Sequence, residues 1–510
     1  MDISSIRYHD QTSYDRFRMS GHMLDWSDQP RPFKEYPGVE PVPLPEKVSL
    51  PGEFLFSILK EVGAGEEDFE ALTLEQLSRV LLLSYSLTAK VRHGDGDFHF
   101  RSAASAGALY PTEVYLASKG TGGLEDGLYH FSILRHALNP LRRGRLCALV
   151  REMIPGEGAG DPAAVFFFTA VFYRSAWKYR DRAYRYHLLD TGHVLENLLL
   201  ALKALKIPCM LHYDFDDRRV NRLLGVDERK EVALALACIP AKSTAAGDTD
   251  SADLLPLPEH LVRASRVAKR EADYPLIRAM HESGIGGKGG GKPPHPLHQG
   301  PEPSPGHWWE VPSSAPWPEK ISYSEVVFLR RSRRNFLKKP LEENEIMALL
   351  DSLCIPDPKA WPPEITGRGS LEIGFLLAEG GPFPSGFYLL DPVRRAFGMV
   401  IPGGLTDRMS RICLDQAWLG NAGIHFLFLA DLEELDRRWG ARGYRYAMMA
   451  AGRLGQRLYL AATALGLGCC GIGAFYDGEA FELLGLKGGV RLLYLVAVGR
   501  IKGGPGTGSL

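Results

Sequence analysis

A 42-residue stretch of this chain, Tyr184–Gly225, occurs twice. A shift of 260 positions sets it without a gap on Tyr444–Gly485, and 15 of the 42 positions are identical. Tyr184-Arg185-Tyr186 falls on Tyr444-Arg445-Tyr446, Gly192 on Gly452, and Leu223-Leu224-Gly225 on Leu483-Leu484-Gly485. The register continues into an apolar run, Val232–Cys238 against Leu492–Val498. One period this long excludes a solenoid, whose repeats are roughly 20–50 residues. It predicts a duplicated domain folded as an intrachain pseudo-dimer. Interface sites that a homodimer must hold twice are free to diverge in such a chain.

The length of 510 residues accommodates two units of roughly 200 residues, each with its own core. A formal net charge of −1 supplies no global field for nucleic acid or an anionic membrane, so any anion site must be local. The seven cysteines lack CxxC or metal-type spacing, which argues against a disulfide framework or a zinc site. The first residues are polar, with no readable signal peptide, and the longest apolar runs, such as Ala163–Phe172, are too short to span a bilayer. The expectation is a soluble cytoplasmic protein with no nucleic-acid or membrane partner and no metal.

Residues 1–50 are charged, aromatic and proline-rich and read as an extended arm wrapped over a domain. A first unit covers 51–240, with helices at Leu72–Leu87 (Thr73 as N-cap, Gln76 three residues on) and Tyr184–Leu205. Its strands are expected at Glu113–Ala117, Gly127–Phe131, Val165–Phe172 and Val232–Ile239. Residues 241–320 break the pattern. From Gly284 to Gly306, 14 of 23 residues are glycine or proline, the composition of a flexible linker. A second unit, 321–510, has expected helices at Tyr323–Arg331, Leu341–Leu353 and Tyr444–Leu465, and strands at Gly386–Leu390, Ile424–Ala430 and Leu492–Val498. Helices and strands mix without regular βαβ alternation, so the fold class is α+β.

Arg330-Arg331-Ser332-Arg333-Arg334-Asn335-Phe336, at the end of an expected helix, is the densest local charge. Guanidinium forks match phosphate oxygens and a serine hydroxyl can donate to another oxygen, so this is a candidate anion receptor. A solvated basic helix end, favoured by the helix dipole, is the alternative.

The same residues resemble the flavin-phosphate motif that opens nitroreductase-superfamily domains. Gly466–Phe475 is similar to that family's glycine loop beside the flavin ring, and Arg500 and Lys502 resemble its C-terminal phosphate contacts. Arg101–Glu113 and Lys178–Tyr186 resemble a narrower branch, the dehydrogenases that oxidise thiazoline and oxazoline rings in modified-peptide pathways. The resemblance implies two nitroreductase-like units, each a mainly antiparallel sheet flanked by helices. It also implies an FMN site between them. Arg330, Arg331, Ser332, Arg334, Gly471, Gly473, Arg500 and Lys502 would come from the second unit, and Ser102 and Ser105 from the first. The halves have not kept the same pieces: the arginine cluster and glycine loop occur only in the second, the serine loop only in the first. That implies one FMN per chain. The loop departs from the family pattern at Ala104 and in lacking an asparagine after the serine.

Lys178 and Tyr179 are the candidate catalytic pair that the resemblance implies. Dehydrogenating an azoline needs a base for the carbon-bound proton while hydride leaves to the flavin. The second copy has Arg438-Trp439 there, and a snorkelling surface pair is the structural alternative for Lys178-Tyr179. His187, Asp190, His193 and Glu196 share a helical spacing. A metal site is one reading and a hydrogen-bonded or exposed helix face the other, since the second copy has Ala447, Ala450, Arg453 and Gln456.

The expected function is FMN-dependent dehydrogenation of a peptide azoline, within a peptide-modifying complex or on a smaller substrate. NAD(P)H-dependent reduction of nitro or quinone-like compounds, and a non-catalytic flavin-binding scaffold, stay open as alternatives.

Overall fold

A computed structural model describes residues 3–503 apart from 20, 22, 62–71, 94–95, 156–160, 242–254, 287–305, 314–316 and 356–370. The duplication is visible in two sheets of seven strands each. The first runs, edge to edge, Val42–Pro43, Ala137–Arg143, Gly127–Ser132, Thr112–Ser118, Ala164–Val171, Glu231–Ile239 and Met210–His212. The second runs Trp308–Glu310, Ala396–Pro402, Gly386–Asp391, Glu372–Leu377, Ile424–Asp431, Val490–Gly499 and Gly468–Ile472 in the same order. All ladders in both are antiparallel. The class is α+β with two like units, each an antiparallel sheet flanked by helices, as expected.

The central strands, such as Ala164–Val171, are buried at every position, so both faces need cover. One face of each sheet contributes to a single core that runs through both units, while the other face has its own cluster. Two long helices, Ala183–Ala204 and Arg442–Ala464, occupy the middle of the shared core, the second with every residue buried. They cross at the glycines that the repeat preserves. A Cβ on Gly192 would lie 2.3 Å from Met449 O, and one on Gly452 would lie 2.2 Å from Leu189 O. Only a bare backbone permits that approach.

Reciprocal ion pairs lock the crossing. Arg182 and Arg185 donate to the two carboxylate oxygens of Asp477 at 2.8 and 2.7 Å; Arg442 and Arg445 do the same to Asp217 at 2.6 and 2.7 Å. Each aspartate opens a short helix, Asp217–Leu224 or Asp477–Leu483. Burial opposes their charge, yet the paired guanidinium groups hold Asp217 down at about 2 and Asp477 well below the usual range.

Two expectations need correction. The arm is not simply extended: Ser5–Gln11 is a helix capped by Ser4, and its Tyr8 and His9 are buried at the junction. Residues 241–320 are not all linker. Glu259–Val262 and Pro275–Ser283 are helices, and Trp308–Glu310 pairs with Ala396–Pro402. Leu257, Leu261, Ile277 and Met280 are buried, and the neighbouring glycine and proline run had masked their helical spacing. The two short helices are counterparts. His9 O accepts from Arg185 and Thr12 O from Arg182, while His281 O accepts from Arg445 and Gly284 O from Arg442. Most of the glycine-rich run lies outside the described residues, as does much of Trp361–Glu379, which no sequence pattern resolved. No helix among the described residues is long and apolar enough to cross a membrane.

Gly192→Ala or Gly452→Ala should each cost about 3 kcal/mol by forcing the helices apart. Asp217→Ala and Asp477→Ala should cost about 3–5 kcal/mol each, since both strand two buried cations. Urea midpoints of the four variants check this; an unchanged midpoint for the glycine variants would show that the crossing tolerates a methyl group.

Candidate functional site

The arginine-rich segment leaves helix Tyr323–Leu329, which is closed at its start by a capping box between Ser322 and Glu325. It then runs beside two strands of the second sheet. Ser332 bridges Cys469, Arg333 N donates to Cys469 O at 2.8 Å, Phe336 bridges Ile501 and Leu337 N donates to Arg500 O at 2.8 Å. Residues 332–336, Arg500 and Lys502 thereby lie at the end of the ladder where Gly468 faces Gly499, while Gly471 is within it and Gly473 follows its other end.

Their side chains have different occupations. Arg330 is buried and crosses to the other unit, donating from Nε to Ser102 O at 2.7 Å and from Nη2 to Arg101 O at 2.9 Å; its Nη1 is buried without an acceptor. Arg331 donates to Thr88 Oγ1 and Thr88 O in a two-stranded hairpin of the first unit, Leu87–His93 with Gly96–Arg101. Ser332 is exposed, its hydroxyl 2.8 Å from Tyr459 Oη. Arg500 pairs with Glu342 and Glu345. Arg334 and Lys502 are exposed and have no carboxylate partner among the described residues. Ser102 Oγ is wholly engaged, donating to Ser84 O and accepting from Ser86 N, and Ser105 Oγ donates to Asp190 at 2.6 Å.

Lys178 and Tyr179 end helix Phe172–Tyr179 and close over the serine loop. A Cβ on Gly107 would lie 2.7 Å from Tyr179 Oη and 3.3 Å from Lys178 Nζ, and the loop there takes positive φ at Gly107, Ala108 and Tyr110. Burial and the charge of Arg334 lower the Lys178 amine below its ordinary value. Burial, Tyr14 and Asp190 push the Tyr179 hydroxyl far up, so it stays protonated at neutral pH. Groups from both units therefore converge here.

The helix-spaced set His187, Asp190, His193 and Glu196 is buried and hydrogen-bonded, so the exposed-face reading falls. Glu196 pairs with Arg453 and Arg457 across the interface. His193 links Tyr494 Oη at 3.0 Å to Gln456 at 2.7 Å, and Gln456 reaches Asn197. Asp190 also accepts from Ala106 N at 3.1 Å, which pins the loop under Lys178 and Tyr179. Its place beneath the loop was missed in the sequence. The available signal was its replacement by Ala450 in the copy that also lacks the loop.

At the pseudo-equivalent junction these features are filled or gone. Tyr213 stands where the other unit has Gly473, and its ring lies 6.1 Å from that of Tyr446. Arg438 pairs with Glu434 and covers buried Trp439.

Comparison with known proteins follows the same division. The nitroreductase family model matches residues 68–239 and 329–500. A provisionally named nitroreductase of Methanocaldococcus jannaschii is 31% identical over 36% of this chain and 92% of its own length. The microcin B17-processing protein McbC of Escherichia coli is 30% identical over 25% of this chain, and the trifolitoxin-processing protein TfxB of Rhizobium leguminosarum bv. trifolii 28% over 38%. The chain spans about half the length of each of these two, 50% and 54%. Among solved structures, a provisionally named nitroreductase of Anabaena variabilis superposes with a TM-score of 0.76 at 28% identity. The match covers 98% of this chain and all of that one, so the likeness includes both units.

Burial raises the Asp190 carboxyl from 3.8 to about 7 against the hydrogen bonds from Ser105 and Ala106. The folded chain thus keeps a proton that the unfolded chain releases, and stability should fall as pH rises through this window. Asp190→Asn should flatten that dependence. Urea midpoints between about pH 4 and pH 8 test it; equal slopes in both proteins would rule it out.

Proposed function

The chain belongs to the nitroreductase family, and on that premise we propose that it is an FMN-dependent oxidoreductase that dehydrogenates an azoline ring in a modified peptide. One observation carries the reading. The charge of Arg334 from the second unit acts on Lys178 and Tyr179 of the first, which lie over Gly107, while the other junction has Trp439 in place of Tyr179 and Tyr213 in place of Gly473. The names of McbC and TfxB, as processing proteins for microcin B17 and trifolitoxin, support a substrate in a processing pathway of that kind.

The donor set fits FMN. Arg330 has a buried N–H without an acceptor, Arg334 and Lys502 have no carboxylate partner among the described residues, and the Ser332 hydroxyl is exposed beside them. These groups would hold the phosphate, with Arg331 and Arg500 adding positive charge. Gly471 and Gly473 would border the ring, and the Ser102–Ser105 loop, tethered by Arg330, would close from the other unit. FMN, when bound, supplies the hydride acceptor.

The chain's own residues handle the proton. Lys178, whose amine is shifted toward its neutral form by burial and the charge of Arg334, would take the carbon-bound proton. Tyr179 stays protonated and can orient the ring by donating a hydrogen bond. Asp190 keeps the loop beneath them in place.

Purified protein should release about one FMN per chain; two would sink the single-site reading. Lys178→Ala should keep its flavin and lose azoline oxidation by about 100-fold or more. Retained function in that variant would favour a scaffold, and NAD(P)H-dependent nitro reduction without azoline turnover would favour the reductase alternative. Arg334→Gln, assayed with saturating FMN, removes a charge that disfavours protonated Lys178. The alkaline-rising limb of its kcat/KM profile should move to higher pH, and an unmoved limb would argue against Lys178 as base.

A further inference from the structure

Next to the catalytic pair, Arg180 adopts φ 50° and ψ −137°. This lies close to a backbone region that is essentially reserved for glycine. The pseudo-equivalent residue is Gly440, at φ 58° and ψ −160°. One backbone turn is thus built twice, with glycine in one copy and a strained arginine in the other. The strain persists where a side chain is needed.

The Arg180 side chain is exposed and makes no hydrogen bond or ion pair among the described residues. It lines a cavity of about 1030 Å³ that Tyr179 also borders, with Tyr14, Asp15, Arg18 and Met19 of the N-terminal arm in the wall. Most acids of that wall are engaged. Asp10 pairs with Arg491, Asp15 accepts from Phe17 N and Arg18 N, and Asp477 is held by Arg182 and Arg185. Asp181 remains as a half-buried carboxyl whose pKa burial raises, against the charge of Arg180. Arg18 and Arg180 form no ion pair among the described residues, although Arg180 lies within range of the Asp181 charge.

We propose that this cavity binds the peptide flanking the reacting ring, and that Arg180 recognises a carboxylate on it, with Arg18 contributing from the arm. A guanidinium fork matches a carboxylate in two parallel hydrogen bonds. The inference rests on the peptide-azoline reading and narrows its substrate class to peptides with an acidic residue beside the azoline.

The test uses FMN-loaded full-length protein and two synthetic thiazoline-bearing hexapeptides, one with glutamate beside the ring and one with glutamine. Calorimetry should show the glutamate peptide binding roughly tenfold tighter or more to the wild type. Arg180→Gly should erase that preference while raising Tm, because glycine relieves the backbone; Arg180→Lys should keep part of it. A preference that survives in Arg180→Gly, or no preference in the wild type, overturns the proposal. An Arg180-dependent preference without ring oxidation would uphold this site and refute the dehydrogenase reading. Oxidation of both peptides with equal affinity would do the reverse.

Discussion

Two helices approach so closely at Gly192 and Gly452 that a methyl group on either would meet carbonyl oxygen of the other. That contact places everything else. It brings the loop after one sheet against the helix start of the other, where Arg182 and Arg185 face Asp477 and their counterparts face Asp217. Six charges in a buried setting are tolerable because each carboxylate receives two guanidinium groups and most of the remaining N–H groups find carbonyls or hydroxyls, Arg182 Nε and Arg445 Nε excepted. The terminal arm helix and the helix Pro275–Ser283 close the two ends by offering His9 O and His281 O.

The backbone is pseudo-symmetric and the chemistry is not. Gly473 O accepts from Arg182 and Tyr213 O accepts from Arg442, so the two chain paths coincide. Only the side chains differ. A tyrosine ring, Tyr213, projects at one junction where the other has Gly473, and Trp439 stands in the place of Tyr179. Asp190, which holds the loop beneath the pair, has Ala450 as its counterpart. A homodimer could not separate these roles, because every substitution would appear at both junctions. Fusion of the copies leaves each junction free to change by itself.

The division of labour among the arginines follows the same logic. Spacing reads Arg330, Arg331 and Arg334 as equivalent phosphate ligands, yet their surroundings differ. Arg330 lies in the interface and ties down the serine loop, Arg331 binds Thr88 of the first unit, and Arg334 is exposed with its guanidinium over Trp418. A guanidinium is the same donor in each case. Which acceptor it meets depends on residues more than 200 positions away in the chain.

The 260-residue period, the α+β class, the long helices and most strand positions were legible in the sequence, because they rest on local signals: apolar periodicity, capping residues and a direct repeat. The position of the glycine loop and arginine cluster in only one copy was legible too, since presence or absence needs no geometry. The packed helices inside the presumed linker were hidden by surrounding glycine and proline. Only the tertiary structure decided which polar groups meet: that Asp190 underlies the loop, that His193 and Glu196 bridge the units, and that Arg180 occupies a glycine-like turn beside a cavity. The physical reason is that hydrogen bonds and charge pairing act over a few ångströms of space, and sequence separation does not measure that distance.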